Sequence, residues 1–354
     1  MASSIRFPQA RWPFVVGGLG LLWILLLSAT QNRQYFPSIP TRFSYVESVR
    51  ETSMISAAQN RTLGFGAILM AILPDRTDQI DTASLMSSYS DIDLTIIDGV
   101  TSVLEKTRPP GGAPLTKGQI GCWRVHMDMM RYVVDHRLET ALILEADVDW
   151  DVRIKDQLEE LGKHMPGASY IRPYGLEWDM LYTGPALHIP DDANLGPAIR
   201  YDDKTVGTLG GSGYDKIEAN WVARDLSAYQ AQDHQRIVHR AYTTYATTSY
   251  MVTLEGARRI LYQLGLNQQT AAIDVDFFEA LHRRDLNGLI VVPPLMQQWK
   301  TGNAAKDSDI EDPNRADGRS GSGPCIVQSM RGSLHDSAFN KSRVDWIDRT
   351  DLTE

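Results

Sequence analysis

The feature that most constrains the fold is an unbroken apolar run, Phe65-Gly-Ala-Ile-Leu-Met-Ala-Ile-Leu73, closed by Pro74. An apolar run this short, without polar alternation, reads as a strand buried on both faces. Residues Thr77 to Tyr89 follow with a mixed polar and apolar helical pattern, and Leu94-Thr-Ile-Ile97 forms a second short strand. This strand–helix–strand opening predicts an α/β domain with a mostly parallel central sheet and helices on both faces. Ligands of such sheets collect beyond the carboxyl ends of the strands, so functional residues are expected just after strands. Past the Pro109-Pro110-Gly111-Gly112 loop, a helical stretch runs from Leu115-Thr116-Lys117-Gly118 to His136, and Thr140 to Leu144 forms the third strand. Further strands are expected at Trp178–Tyr182, Ser249–Leu254 and Leu289–Val292, with helices at Gly256–Leu264 and Asp274–Arg284. Between Pro190 and Gln235 there is little periodicity, as in an active-site or acceptor loop. From Trp299 onward the polar composition predicts an extended, partly disordered tail.

Directly after the third strand stand Glu145, Asp147, Asp149 and Asp151, four carboxylates in seven positions. Two unit charges about 4 Å apart repel by roughly 4 kcal/mol at an effective dielectric near 20, so the crowding needs an offset. A divalent cation shared with a diphosphate supplies one. By position alone, Glu145 and Asp147 are open to a metal role or to a solvated surface role, while Asp151 is read as the cap of the helix starting near Val152. Arg76 follows the first strand end and is the candidate phosphate ligand, because a guanidinium grips phosphate with two parallel bonds. His126 faces either the site or the core. Asp274 and Asp276 open a helix, where the dipole favours carboxylates, and one of them is a candidate general base for an acceptor hydroxyl.

A net charge of -9 leaves no basic field for a polyanion, so nucleic acid is excluded as a partner. The two cysteines, Cys122 and Cys325, can supply one disulfide at most, the other reading of Cys122 being a buried free thiol. No charged residue occurs between Trp12 and Asn32, and Arg6 and Arg11 precede that stretch. About twenty uncharged residues suffice to cross a bilayer with the positive end in the cytosol, so 12–30 is read as a signal anchor and 1–11 as cytosolic. The rival reading is a cleaved signal peptide. Residues 31–62 then form a stem, 63–310 a catalytic domain and 311–354 a C-terminal extension. The sequons at Asn60 and Asn340 agree with a lumenal chain.

Several blocks resemble glycosyltransferase family 25, which includes lipopolysaccharide and procollagen galactosyltransferases, and most of all its fungal members. They are Leu73-Pro-Asp-Arg-Thr-Asp78, Leu115-Thr-Lys-Gly-Gln-Ile-Gly-Cys122 with His126, Leu142 to Asp151, Trp178-Asp-Met-Leu-Tyr-Thr-Gly184, Asp274, Pro293 to Gln298 and Lys306-Asp-Ser-Asp-Ile310. The resemblance implies a GT-A type fold, a uridine-diphosphate sugar donor and inverting transfer of a hexose to a glycan or glycoprotein hydroxyl. It implies manganese or magnesium at Glu145 and Asp147; Asp149 is a further candidate ligand, Arg76, Asp78, Lys117 and His126 are the candidate donor-side residues, and the anchor places the catalytic domain in the lumen of the Golgi or endoplasmic reticulum. The chain departs from the family pattern at Ala146, at Val125 and in Pro-Ala-Leu-His188 after Gly184. Alternating residues of a strand end share a face, so Glu145 and Asp147 are expected to act together despite Ala146. These departures motivate an alternative, a catalytically silent glycan or nucleotide-sugar binding module of the same fold.

Overall fold

The third strand and its neighbours show why the apolar runs are continuous. In the computed structural model, β1 (Ala67–Ile72), β2 (Thr95–Asp98) and β3 (Thr140–Glu145) lie parallel, β1 in the middle, and α1 (Thr77–Ser90) and α2 (Lys117–Asp135) make the connections. Successive residues of β1 and β3 alternate between two cores. Leu69 and Ile143 pack with Trp123, Met127 and Met130 of α2 on one face. Ile68, Met70, Leu142 and Leu144 pack with Ala83 and Met86 of α1 on the other. With both faces covered, neither set of positions can be polar.

The structure describes residues 57–206, 217–302, 307–310 and 320–339. The proposed cytosolic segment, the anchor at 12–30, the stem up to residue 56, Lys306 and the Asn340 sequon lie outside the described residues. Among the described residues no helix is long and apolar enough to cross a membrane.

Beyond β3 the chain forms β4 (Val148–Trp150), α3 (Ile154–His164), β5 (Met180–Tyr182), β6 (Leu187–Ile189), β7 (Ile199–Asp202), α4 (Ile217–Ala228), β8 (Gln235–Arg240), β9 (Thr243–Tyr245) and β10 (Ser249–Thr253). Then come α5 (Leu254–Ile260), which continues as a π-helical turn to Asn267, α6 (Ile273–His282), β11 (Gly288–Val292), β12 (Met296–Gln298), β13 (Lys300–Thr301), β14 (Ser320–Gly321) and α7 (Leu334–Phe339). The central sheet has eight strands in the order β2-β1-β3-β10-β5-β11-β8-β7. Helices do cover both faces, with α2, α4, α5 and α6 on one and α1 and α3 on the other.

The expected mostly parallel sheet is corrected to a mixed one. β10 runs antiparallel to both β3 and β5, and β8 to both β11 and β7. β10 enters the sheet between β3 and β5 after a short link, Ala246 to Thr248, from β9, which pairs with β6 outside the central sheet. The consequence for function is local. Because β10 runs against β3, the start of β10 lies beside the end of β3, which brings Thr247 to Glu145.

Two further expectations change. The stretch from Pro190 to Gln235 is not a loop but contains β7 and α4, whose Trp221, Val222 and Leu226 enter the core. The C-terminal stretch is not simply extended either: Ile326 and Met330 are buried, and Met330 N–H donates to the Trp150 carbonyl.

Candidate active site

Glu145 ends β3, and a tight turn through Ala146 and Asp147 leads into β4. β4 pairs with β12 in the register Val148 to Gln298, and beyond that pair Trp299 N–H donates to the Asp147 carbonyl at 2.7 Å. This register carries the next residue, Lys300, to the carboxylate turn. From the opposite side α2 presents its N-terminus. Thr116 Oγ1 accepts from Gln119 N at 3.2 Å while Gln119 Oε1 accepts from Thr116 N at 2.9 Å, a reciprocal cap that fixes where the helix begins. Gly121 lets α2 approach the loop after β2, since a Cβ there would stand 2.0 Å from the Val100 carbonyl oxygen. The result is a cavity of about 500 Å³ at the carboxyl ends of β1, β2 and β3, lined among others by Lys117, His126, Glu145, Asp147, Asp274 and Lys300.

The two acids at the turn differ in their surroundings. Thr247 Oγ1 donates to Glu145 Oε1 at 2.6 Å, and His126 Nε2 lies 3.6 Å from the same oxygen. Burial raises the Glu145 pKa, but His126, Thr247 and Lys300 outweigh it and hold the group below the ordinary value. Asp147 has no such donors. Burial and then the charge of Glu145 push it up to about 7, against the pull of Lys300 and Arg331. Its Oδ1 is buried with no hydrogen-bond partner among the described residues. Two neighbouring carboxylates on a cavity wall, one with an orphaned oxygen, fit a hard divalent cation that takes one or two carboxylates and fills its other positions from water or diphosphate.

The remaining candidates divide. Lys117 and His126 line the cavity, and so does Asp274, whose Oδ1 accepts from Val275 N at 2.9 Å at the start of α6. Asp276 does not: it is buried and bound to Thr270 N and Oγ1. Arg76 holds Asp78 by two bonds of 2.9 Å each and is also ion-paired with Asp309, so the fork expected for phosphate grips carboxylates, and neither Arg76 nor Asp78 is part of the cavity lining.

Asp149 lies away from the cavity, fully buried, accepting from Ser329 Oγ at 2.6 Å and from the Arg331 and Trp150 backbone N–H groups. All of these are protein donors, which is a structural arrangement and not a ligand set. Asp151 caps the turn that leads into α3, its Oδ1 accepting from the Arg153 backbone N–H at 3.0 Å, although the cap position of the helix proper is Arg153; it also pairs with the Arg153 guanidinium and accepts from Gln328 N, tying the C-terminal segment to β4. Cys122 and Cys325 are not joined in a disulfide.

Three residues at the turn escaped the sequence reading. Lys300, only 7% exposed, and Arg331 act on the acids as cations, and Thr247 acts as a donor. A lysine two residues beyond the Pro293 to Gln298 block was the available signal for Lys300. Arg331 and Thr247 carry none, since both reach the site through non-local pairing.

A profile for Glycosyltransferase family 25 (LPS biosynthesis protein) matches residues 101–279, just over half of the chain. The chain belongs to glycosyltransferase family 25. The matched segment contains Lys117, His126, Glu145, Asp147, Thr247 and Asp274 of the cavity lining, while Lys300 lies beyond it. Among curated proteins, the chain is 29% identical to human Procollagen galactosyltransferase 2 over 171 residues, 42% of this chain and 26% of the relative. It is 23% identical to Procollagen galactosyltransferase 1-B of Xenopus laevis over 216 residues, 57% of this chain and 28% of the relative. It is also 32% identical to human Inactive glycosyltransferase 25 family member 3 over 76 residues, 22% of this chain and 12% of the relative. The chain thus spans about a quarter of the length of the first relatives it matches.

Proposed function

We propose that this family member is a metal-dependent glycosyltransferase that moves a hexose, galactose or glucose, from a uridine-diphosphate sugar to a hydroxyl of a glycan or glycoprotein. The observation that carries the reading is the pairing of Glu145 and Asp147 at the mouth of a strand-end cavity whose opposite walls are the N-terminus of α2 and Asp274. Glu145 and Asp147 would hold manganese or magnesium, which when bound stabilises the charge of the departing diphosphate. The α2 N-terminus with Lys117, together with Lys300, offers positive potential to the donor's phosphates. Asp274, rather than Asp276, is the carboxylate in position to accept the proton of an acceptor hydroxyl. Displacement from the face opposite the diphosphate gives inversion, in keeping with a GT-A reading of the sheet and cavity. The galactose preference leans on the names of the procollagen galactosyltransferase relatives. The uncharged run from Trp12 to Asn32 supports a type II membrane protein of the Golgi or endoplasmic reticulum with a lumenal catalytic domain.

The test is donor hydrolysis and transfer across a nucleotide-sugar panel, with manganese and with chelator. Manganese-dependent turnover that disappears in Asp147→Asn is expected, and equal turnover in chelator would remove the metal from the reaction. Ala146 and the likeness to an inactive family member favour a second reading, a binding module without turnover. Calorimetric donor binding without transfer to any acceptor would select it.

A further inference from the structure

Glu145 belongs to two ligand sets. Toward the turn it stands beside Asp147, a hard oxygen pair. Toward α2 it meets Cys122 and His126, which are one helical turn apart and therefore share a face. The Cys122 thiol, a His126 ring nitrogen and a Glu145 carboxylate oxygen all lie within 4.8 Å of one another. His126 is fully buried, and its Nε2 has no hydrogen-bond partner among the described residues while lying 3.6 Å from Glu145 Oε1. Its other nitrogen, Nδ1, is 2.9 Å from the Tyr250 hydroxyl. When Nδ1–H donates to that hydroxyl, Nε2 presents a lone pair toward Cys122 and Glu145, and the outer partner fixes the ligand tautomer as in protein zinc sites.

We propose that Cys122, His126 and Glu145 form a zinc-binding site on the wall of the catalytic cavity, distinct in ligand chemistry from the Glu145–Asp147 pair, and that zinc there shuts the cavity to the hard cation. Zinc takes thiolate, imidazole and carboxylate ligands, typically three from protein with a fourth position left to water. Its bond lengths require ligand atoms about 3.3–3.8 Å apart, so the three groups need close by only about 1 Å, within reach of side-chain rotation. Manganese and magnesium prefer the oxygen pair, so the two sets discriminate by softness. On binding, the Cys122 S–H bond breaks, its proton passes to solvent, and a zinc–sulfur bond replaces one zinc–water bond. Glu145, drawn to zinc, is lost to the neighbouring site.

The buried group of His188, Asp225 and His239 is arranged differently. There His188 Nε2 accepts from Tyr242 N at 3.2 Å, which leaves Nδ1 protonated and donating to Asp225 at 2.6 Å, with no lone pair for a metal.

The zinc site stands on geometry alone, while its inhibitory effect rests on the proposed transfer, and the experiment separates them. Cobalt(II), a spectroscopic stand-in for zinc, is titrated into the metal-free full-length protein. A near-ultraviolet thiolate-to-cobalt charge-transfer band is expected in the wild type and in Cys325→Ala, erased by one equivalent of zinc and absent in Cys122→Ala and Cys122→Ser. Loss of a ligand costs at least what loss of an outer partner does, so zinc affinity in Cys122→Ala should fall by about tenfold or more. Absence of the band in the wild type, its survival in both folded Cys122 variants, or its loss in Cys325→Ala would overturn the site. In manganese-supported turnover, the ratio of rates with and without zinc should be well below one for the wild type and return to near one in Cys122→Ala. If the protein shows no turnover but gives the band, the transferase reading fails and the metal site stands.

Discussion

Replacing Asp147 by Asn should stabilise the metal-free protein at neutral pH, although it removes a proposed metal ligand. Asp147 is raised from 3.8 to about 7 by burial and by the charge of Glu145. An acid whose native pKa is raised binds its proton more tightly in the folded state, so the contribution of this group to stability is complete only below pH 3.8. Stability falls as pH climbs from there to about 7 and levels off above. A rise of that size is equivalent to at most about 4 kcal/mol. Asp147 is only half-buried and borders the cavity, so roughly half of that, about 2 kcal/mol, is the expected size. The Asp147→Asn amide keeps the shape and never ionises, so in chelator its melting temperature should match the wild type near pH 3 and exceed it at pH 8 by roughly 3–4 °C. Manganese should then raise the wild type at pH 8 and leave the variant unmoved, because a ligand stabilises only the state that binds it. Thermal unfolding at the two pH values, with and without manganese, reads all four conditions. A variant that melts below the wild type at pH 8 in chelator would refute the claim that Asp147 is electrostatically strained without its cation.

Other substitutions test the remaining supports. Asp274→Asn should abolish transfer while leaving the melting temperature nearly unchanged, whereas Asp276→Ala should cost about 1–3 kcal/mol in denaturant unfolding, because Thr270 N and Oγ1 lose their acceptor. Asp149→Ala strands Ser329 Oγ and two backbone N–H groups; it should destabilise by about 3 kcal/mol or more and open residues 320–331 to limited proteolysis. Gly121→Val drives a side chain into the Val100 carbonyl and should lower both the melting temperature and donor affinity in calorimetry, by pushing the α2 N-terminus off the cavity.

What could be read from the sequence, and what could not, follows from the kind of contact that makes each element. β1, β3 and α2 are legible because burial on both faces forces unbroken apolar runs, and because Thr116 and Gln119 advertise a helix start. β7 is not: it is a four-residue edge strand with a single buried residue, Tyr201, which leaves no period to detect. The reversed direction of β10 leaves no mark in its own residues, because a strand buried on both faces is apolar whichever way it runs. The C-terminal segment docks mainly through its backbone N–H groups and Ser329 on Asp149 and Asp151, and hydrogen bonds of that sort leave no hydrophobic signature. Hence position after a strand located Glu145 and Asp147 correctly in the cavity wall, but the same rule overreached to Asp149, whose partners lie 180 residues away in sequence.

Charge accounting at the turn bears on Ala146. Strand alternation, with Glu145 and Asp147 sharing a face, would make alanine between them harmless. The backbone shows instead a turn in which residues 145, 146 and 147 all border the cavity, so alternation is not the reason. The Ala146 carbonyl accepts from Arg331 and its side chain packs against the core around Leu144 and Met330. Lys300 acts on both acids and Arg331 on Asp147, so two negative charges meet two cations before any metal enters. Even so, Asp147 remains raised, by burial first and by the charge of Glu145 second, against the pull of both cations. A third at position 146, at about 4 Å and an effective dielectric near 20, would add roughly 4 kcal/mol of repulsion per neighbour. With Asp149 committed to the C-terminal segment, Ala146 keeps the turn's charge at a level that Lys300, Arg331 and one divalent cation can offset.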